Sequence, residues 1–251
     1  MIVAIIQARM GATRLPGKVM KELAGEPVLY HVVERTRRTT GLEKVIVATT
    51  IKPQDDVIED FCKRQDYDVF RGSSDDVLSR YYEAAKKVGA DSVVRITSDC
   101  PLIDPFVVAQ CIEDFNNRGC DYLSNVEPGP RTFPRGLDTE VFSFSALERA
   151  HTEANSSAER EHVTPYMWQN KSGTFVVGNI EKAAPEYNRP QYRLTLDFQE
   201  DYDLLQNIYG RFYTSGTIIF VPDVIRYLDE HPEIAAINAF REKERVKVGH
   251  V

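Results

Sequence analysis

Three cations and two glycines follow the first apolar run of this chain. The stretch IIQARMGATRLPGK covers residues 5–18; its cations are Arg9, Arg14 and Lys18, and its glycines are Gly11 and Gly17. Glycine lets backbone N–H groups approach phosphate oxygens, while guanidinium and ammonium groups supply charge. The segment therefore predicts a phosphate site, although an ordinary strand-to-helix turn with solvated cations has the same composition.

The spacing differs from two common phosphate-binding motifs. Five residues separate Gly11 from Gly17, whereas a P-loop has four between its glycines. Val19 stands where a P-loop carries its magnesium-binding Ser or Thr, and the segment contains no GxGxxG fingerprint. Any phosphate loop here is therefore of another type.

Two aspartates far apart in the sequence each follow an apolar strand pattern. Asp99 lies in VVRITSDCPLIDP and Asp197 lies in RLTLDFQEDYDLL. Mg²⁺ takes one or two carboxylates and fills its shell with water and substrate phosphates, so such a pair predicts a magnesium site. A capping role for Asp99 before Pro101 is the alternative, and Asp201 and Asp203 are expected to be solvated helix residues.

The first half of the chain alternates strand and helix patterns. Short β-branched runs predict strands at residues 2–6, 44–48, 68–70 and 92–96, with helical periods between them. This alternation is typical of an α/β fold with a mostly parallel, doubly wound sheet and helices on both faces. Ligands of such folds bind beyond the carboxyl ends of the strands, where the loop and Asp99 would meet.

The second half is less regular. NVEPGPRTFPRG, residues 125–136, has three prolines and predicts a surface loop. Further strands are predicted at residues 137–144, 174–178 and 191–196, and helices at 145–155, 159–169 and 197–212. We expect one domain over residues 1–251, with an inserted lobe at roughly 125–190.

Composition limits the classes of protein and partner. The 251 residues carry 42% apolar side chains and a net charge of −7, which argues against a nucleic-acid coat or an anionic-membrane binder. No apolar run approaches the ~20 residues that cross a bilayer, and no leader pattern is present. The four cysteines show no CxxC spacing, so we expect reduced thiols and a cytoplasmic location.

The opening segment resembles a known family. IIQARMGATRLPGKVMKELAGEPVLYHVVER, residues 5–35, is similar to the N-terminal signature of the sugar-acid cytidylyltransferases, which reads P-A-R-x-x-S-x-R-L-P-G-K followed by G-x-P and a hydrophobic residue. These enzymes activate 3-deoxy-octulosonate and sialic acids. The branch named for spore coat polysaccharide biosynthesis protein F is the most similar, and the likeness runs nearly the whole chain.

The resemblance implies a three-layer, GT-A-like nucleotidyltransferase fold with a small acceptor and dimerisation lobe, Mg²⁺ as cofactor, and a homodimer. It implies a catalytic set of Arg9, Lys18, Asp99 and Asp197, with Asp99 and Asp197 as the metal pair. It implies nucleotide contacts from Ala8, Arg9, Gly11, Arg14, Lys18, Arg80, Thr97 and Ser98. For Arg80, in SSDDVLSRYY, an exposed helical position is the alternative.

The sequence departs from that family at one turn. Octulosonate-activating members read Q-G-D-E-P where this chain has Thr97, Ser98, Asp99, Cys100 and Pro101. A glutamine expected at the pyrimidine and a glutamate beside the metal are therefore missing, and the base that is selected stays open.

The resemblance also implies acceptor-binding residues in the second half. RTFPRGLDTEVF supplies Arg131, Arg135, Asp138 and Glu140, and EREHVTPY supplies Arg160, Glu161 and His162. Cations would bind the carboxylate of a sugar acid and acceptor atoms would bind its hydroxyls; a strand with one wet face is the alternative. His162 would orient the acceptor or take its proton, unless it is structural.

These observations predict an Mg²⁺-dependent transfer of CMP from CTP to a sugar acid, with release of pyrophosphate. The alternatives are a nucleotidyltransferase that uses another NTP and a sugar phosphate, a glycosyltransferase, and a catalytically silent nucleotide-binding scaffold. The glycosyltransferase is disfavoured because no D-x-D triplet follows a suitable strand, since Asp99 is followed by Cys100 and Pro101. A zinc centre is not expected, because His151, His231 and His250 lack ligand partners at metal-binding spacings.

Overall fold

The first strand, Ile2–Gln7, lies near the centre of the sheet because its interior residues are apolar on both faces. Val3, Ala4, Ile5 and Ile6 are fully buried, as expected for a strand covered by helices on both sides. The structure is a computed structural model that describes residues 1–248, with side chains described for residues 1–241. His250 lies outside the described residues.

Seven strands form the main sheet. The strands of the chain are β1 (Ile2–Gln7), β2 (Glu22–Leu23), β3 (Glu26–Pro27), β4 (Lys44–Thr50), β5 (Asp68–Gly72), β6 (Ser92–Thr97), β7 (Tyr122–Ser124), β8 (Glu140–Ser143) and β9 (Val177–Asn179). The order is β5-β4-β1-β6-β8-β7-β9, and β2 pairs with β3 separately. All pairings in the main sheet are parallel except those that β8 makes with β6 and β7.

Helices cover both faces of this sheet. They are α1 (Val28–Arg37), α2 (Asp56–Arg64), α3 (Val77–Val88), α4 (Pro105–Arg118), α5 (Phe144–Glu153), α6 (Ser157–His162), α7 (Pro165–Gln169), α8 (Gln199–Phe212), α9 (Val221–Glu230) and α10 (Pro232–Val248). One apolar core packs beneath α1, α2, α4, α8 and α9, and the other packs beneath α3, α5 and α7. The predicted three-layer, doubly wound α/β fold is confirmed.

The strand predicted at residues 191–196 is wrong. Leu194 and Leu196 are buried as a strand pattern requires, but Arg193 makes only an isolated bridge with Arg135. The backbone N–H of Leu194 donates to the carbonyl of Arg135 (2.7 Å), and that of Leu196 donates to the carbonyl of Asp99 (2.8 Å). Because these acceptors belong to different segments, no continuous ladder forms.

The helix predicted at residues 159–169 is two helices, α6 and α7. The break falls at Val163, which has a positive φ of 73°, and Thr164. Pro165 opens α7 at a position where its missing N–H is tolerated. The break places the end of α6 beside the site described below.

The segment at residues 125–190 contributes to the main sheet through β8 and β9. Residues 125–136 form a loop as predicted, although Phe133 within it is buried in the core. The assignment of this segment to acceptor binding and dimerisation stays a prediction. Within the described part of the chain, no helix is long and apolar enough to cross a bilayer.

Gly136 lies where the loop at residues 125–136 crosses the segment before Asp197, and it permits a close backbone contact. Its φ is +103°, and a Cβ there would lie 2.6 Å from the carbonyl carbon of Leu194 and 2.9 Å from the nitrogen of Thr195. Neither backbone can move without shifting the hydrogen bonds that join the two segments. The crossing therefore requires glycine.

We expect Gly136→Ala to lower the free energy of unfolding by at least ~1–3 kcal/mol, the range for a strained backbone position. Gly210→Ala is the matched control, because a Cβ at that exposed site in α8 meets no atom within 4 Å. The control is expected to be neutral or stabilising by up to ~1 kcal/mol, as for alanine in a helix interior. Urea unfolding of both variants measures the difference, and equal stabilities would contradict this role for Gly136.

Candidate active site

A polar cavity of about 330 Å³ opens at the carboxyl ends of β1 and β6. The predicted residues that line it are Ala8, Arg9, Arg14, Lys18, Arg80, Thr97, Ser98, Asp99, His162 and Asp197. Gly11, Arg135, Asp138 and Glu140 are not among its lining residues. The cavity therefore brings together the opening loop, both distant aspartates and the end of α6.

The loop after β1 is fixed by hydrogen bonds at Met10. The carbonyl of Met10 accepts from the N–H of Ala12 (2.9 Å) and of Gly17 (3.1 Å), and the N–H of Met10 donates to Asp55 Oδ1 (2.7 Å). Asp55 is fully buried and also accepts from the hydroxyl of Thr50. Arg9 and Arg14 are exposed on this folded loop, so their charges face incoming anions.

Lys18 joins the two aspartates. Its Nζ donates to Asp99 Oδ2 (2.6 Å) and to Asp197 Oδ1 (2.8 Å). Arg14 Nη2 also donates to Asp197 Oδ1 (3.0 Å). Gly17 adopts a left-handed conformation (φ 67°) that starts the short 3-10 turn Lys18–Met20. The convergence of Lys18, Asp99 and Asp197 that the sequence predicted is therefore present.

Backbone contacts hold Asp99 close to the segment before Asp197. The carbonyl of Asp99 accepts from the N–H of Leu196 (2.8 Å) and from the hydroxyl of Thr195 (3.2 Å). Asp99 and Asp197 thus face one another across a joined pair of turns.

Asp201 is fully buried, and its prediction as a solvated helix residue is wrong. Its carboxylate forms a two-point ion pair with Arg193 (2.9 and 3.1 Å) and accepts from the N–H groups of Asp197 (2.8 Å) and Phe198 (3.0 Å). Asn238, on α10, also donates to Asp201 (2.8 Å). A buried aspartate therefore fixes the turn that presents Asp197. Asp203 is exposed, as expected.

The charges around Asp197 keep it ionised. Burial opposes ionisation, but Lys18, Arg14 and Arg193 outweigh it and lower the pKa of Asp197 to about 2. Burial also disfavours the charged form of Lys18, yet Asp99 and Asp197 raise its pKa above the ordinary value. At neutral pH the site holds an ammonium between two carboxylates.

The carboxylate pair suits a Mg²⁺ ion that takes its remaining ligands from a substrate. Two carboxylates already converge on one cationic atom, and Mg²⁺ is held by one or two carboxylates plus substrate phosphates. Among the described residues no group of three or more His, Cys, Asp or Glu side chains is arranged around a metal position. A phosphate ligand would supply the rest of the shell.

Asp138 and Glu140, two of the predicted acceptor residues, do not line the cavity, and other side chains hold both carboxylates. Asp138 forms a two-point pair with Arg131 (2.5 and 2.9 Å); burial opposes its ionisation, but Arg131 and Arg135 outweigh that effect and lower its pKa. Glu140 accepts from Tyr122 (2.8 Å) and Thr164 (2.5 Å) and pairs with Arg95. Glu140 therefore contacts Arg95, a cavity-lining residue, and does not itself line the cavity.

Two charged residues behave differently from ordinary surface positions. Arg80 is only 2% exposed, so its alternative reading as an exposed helical arginine is wrong. Arg160 donates to Asp76 (3.0 Å) at the start of α3, which ties α6 to that helix. His162 and Glu161 are exposed at the end of α6 and line the cavity.

Sequence reasoning missed Gln7 and Arg95, which both line the cavity. A signal was present in each case: Gln7 is the polar end of a buried apolar strand, and Arg95 interrupts the apolar run SVVRIT. A charge within a buried strand is uncommon unless it is paired or functional. Asp55 and Arg193 carried no comparable signal, because their partners lie on other segments.

The sheet is mostly parallel, a cationic loop follows its first strand, and a carboxylate pair lies beyond its edge. Together these features define a nucleotidyltransferase-type fold and site. The chain belongs to the cytidylyltransferase family, whose family model matches residues 3–223. The resemblance seen in the opening segment is thereby confirmed, and the protein is a nucleotidyltransferase.

Individual relatives agree with this assignment. The spore coat polysaccharide biosynthesis protein SpsF of Bacillus subtilis is 33% identical over 93% of this chain and 96% of its own. The 3-deoxy-manno-octulosonate cytidylyltransferase of Trichlorobacter lovleyi is 40% identical over 45% of this chain and 44% of its own. A cytidylyltransferase structure from Leptospira borgpetersenii superposes with a TM-score of 0.84 at 36% identity, covering 93% of this chain and 96% of that one.

The depressed pKa of Asp197 predicts how stability depends on pH. The folded value of about 2 lies below the ordinary ~3.9, so ionised Asp197 stabilises the fold above about pH 4, and this contribution is lost as the pH falls through about 2. We expect Asp197→Asn to lower the free energy of unfolding by ~2 kcal/mol at neutral pH and by much less near pH 2. Urea unfolding at both pH values checks this.

Asp203→Asn is the control, since an exposed side chain in the same region is expected to change stability by less than about 0.5 kcal/mol. A penalty for Asp197→Asn that is the same at both pH values would show that the charge of Asp197 does not stabilise the fold.

Proposed function

We propose that this protein transfers CMP from CTP to a sugar acid and releases pyrophosphate. The observation that carries the proposal is the Lys18 ammonium held between Asp99 and Asp197 in a cavity that Arg9 and Arg14 also line. Cations suit a triphosphate, and the carboxylate pair suits the divalent ion that accompanies it. Support also comes from the activity for which the Trichlorobacter lovleyi relative is named.

The three cations of the opening loop would have separate roles in nucleotide binding. Arg9 and Arg14 would hold the β- and γ-phosphates, because they are exposed guanidinium groups on the cavity wall. Lys18 pairs with both carboxylates, and its Nζ would be available to a phosphate if a metal satisfied them. Mg²⁺ held by Asp99 and Asp197 would supply charge compensation at the α-phosphate.

The reaction itself needs positioning and charge compensation. A hydroxyl oxygen of the acceptor forms a bond to the α-phosphorus while the bond from that phosphorus to the bridging oxygen breaks, and pyrophosphate leaves with the bonding pair. The proton of the hydroxyl goes to water or to a base. His162 is the candidate base, because it lines the cavity at the end of α6.

The acceptor would bind next to the carboxylate pair. Arg135 belongs to the loop that crosses the segment before Asp197. Asp138 follows that loop and acts electrostatically on Cys100, the neighbour of Asp99. A guanidinium and a carboxylate at that place suit the carboxylate and hydroxyls of a sugar acid. We further propose that the protein is a cytoplasmic homodimer and acts in polysaccharide biosynthesis, the process after which the SpsF relative is named.

A pyrophosphate-release screen over the four NTPs tests the proposal. Each NTP is incubated with Mg²⁺ or with EDTA and with a panel of acids that includes 3-deoxy-octulosonate and a sialic acid. Release that requires CTP, Mg²⁺ and an acid is the expected result. Release that requires another NTP and a sugar phosphate would replace the proposal, and no release with any pair would favour the nucleotide-binding scaffold.

Loss of one carboxylate of the pair should remove activity. We expect Asp99→Ala to lower kcat/KM for CTP by at least ~10²–10³-fold, as for removal of a major electrostatic contact, with the fold unchanged. Asp203→Ala, at an exposed helix position outside the cavity, serves as the control. Pyrophosphate release measures activity and circular dichroism verifies the fold, and near-normal turnover by Asp99→Ala would remove Asp99 from the mechanism.

A further inference from the structure

The ring of Phe198 lies among three guanidinium groups. The Cζ atoms of Arg241, Arg14 and Arg193 lie 4.3, 4.8 and 5.7 Å from the centroid of the ring. An aromatic ring attracts a cation within about 6 Å of its centroid, so all three are close enough to interact. Phe198 directly follows Asp197, and of the three arginines only Arg14 lines the cavity.

Two of these arginines are held by carboxylates that do not line the cavity. Arg193 forms its two-point ion pair with the buried Asp201. The Nη2 atom of Arg241 donates to both oxygens of Glu200 (2.9 and 3.1 Å). Their positions beside the ring are therefore fixed by partners of their own.

The guanidinium of Arg14 is held less firmly. Its side chain is 57% exposed, and its Nη2 donates to Asp197 Oδ1, the oxygen that also accepts from Lys18. Among the described residues its other contact of this kind is the ring of Phe198. A divalent ion bound by Asp197 would compete for that oxygen, and the ring would then be the contact that keeps the guanidinium in place.

The backbone of Phe198 is fixed, so its ring is a stable support. The N–H of Phe198 donates to Asp201 Oδ2 (3.0 Å), and the residue immediately precedes α8. The side chain is half-buried. A long, exposed side chain that a ligand must order weakens binding by about two- to tenfold, and a support that orders it beforehand removes that cost.

We infer that Phe198 is a positioning residue for the triphosphate: its ring holds the guanidinium of Arg14 at the cavity, where the phosphates meet a cation that is already ordered. The inference rests on the proposed function, because it takes Arg14 to hold the β- and γ-phosphates. The opening motif did not indicate Phe198, which lies far from that motif in the sequence.

Binding measurements with Mg²⁺ test this role without an acceptor substrate. Isothermal titration calorimetry gives Kd for CTP, for inorganic triphosphate and for CMP. Phe198→Leu removes the ring and keeps an apolar side chain, so we expect Kd for CTP and for inorganic triphosphate to rise about two- to tenfold. Kd for CMP should not change, because CMP has no β- or γ-phosphate. Phe198→Tyr retains a ring and should bind all three ligands as the unaltered protein does.

A second arginine variant separates positioning from a general effect on the turn. Arg14→Met should itself weaken binding of CTP and inorganic triphosphate, and adding Phe198→Leu to it should cause no further loss, since both changes remove one interaction. Phe212→Leu is the matched control. Phe212 is a half-buried phenylalanine at the end of α8, outside the cavity, with Arg211 5.7 Å from its ring, and its replacement should leave all three Kd values unchanged.

The outcomes separate this inference from the proposed function. Unchanged binding of CTP and inorganic triphosphate by Phe198→Leu would overturn the inference. A loss that extends to CMP, or that persists in the Arg14→Met background, would also overturn it, because the ring would then act on the turn of Asp197. Unchanged binding by Arg14→Met would remove Arg14 from the phosphate site and the inference with it.

Preference for another NTP in the pyrophosphate-release screen would overturn the proposed function. Inorganic triphosphate has no base, so its binding would still decide the role of Phe198. If Phe198→Leu fails to fold, Phe198→Met is the second variant without a ring, and the same results are expected of it.

Discussion

The ammonium of Lys18 between two carboxylates is the interaction around which this site is built. Its partners Asp99 and Asp197 lie 81 and 179 positions away in the sequence, at 2.6 and 2.8 Å in space. Without a cation between them, two carboxylates this close would repel each other. Lys18 offsets that repulsion and helps to lower the pKa of Asp197.

This arrangement depends on a second, deeper ion pair. Arg193 and Asp201 are almost fully buried, and breaking such a pair leaves an uncompensated charge that destabilises a fold by several kcal/mol. Asp201 uses its remaining capacity to hold the N–H groups of Asp197 and Phe198, and Asn238 of α10 completes its hydrogen bonds. Helix α10 thereby stabilises a turn that belongs to the candidate active site, although none of the α10 side chains that the structure describes lines the cavity.

The second half of the chain reaches the cavity mainly through charged contacts with the first. Glu140 of β8 pairs with Arg95 of the neighbouring antiparallel strand, and Thr164, just before α7, donates to the same carboxylate. Arg160 ties α6 to α3 through Asp76. Residues of β8 and the turn before α7 therefore hold Arg95, which lines the cavity, and α6 is tied to α3, which supplies Arg80 to the same cavity.

The sequence by itself determined the alternating α/β pattern, the cationic loop and the strand-end aspartate Asp99, because each depends on residues close together in the chain. Apolar period, glycine spacing and a polar residue after a buried strand are local properties. Tertiary structure decided the rest. It buries Asp201 and Arg80, breaks the helix at Val163 and prevents a strand at residues 191–196. Each of these outcomes depends on which distant segment supplies the partner atoms. Gln7 and Thr97 become neighbours only through strand register, and no local pattern encodes a contact between β1 and β6.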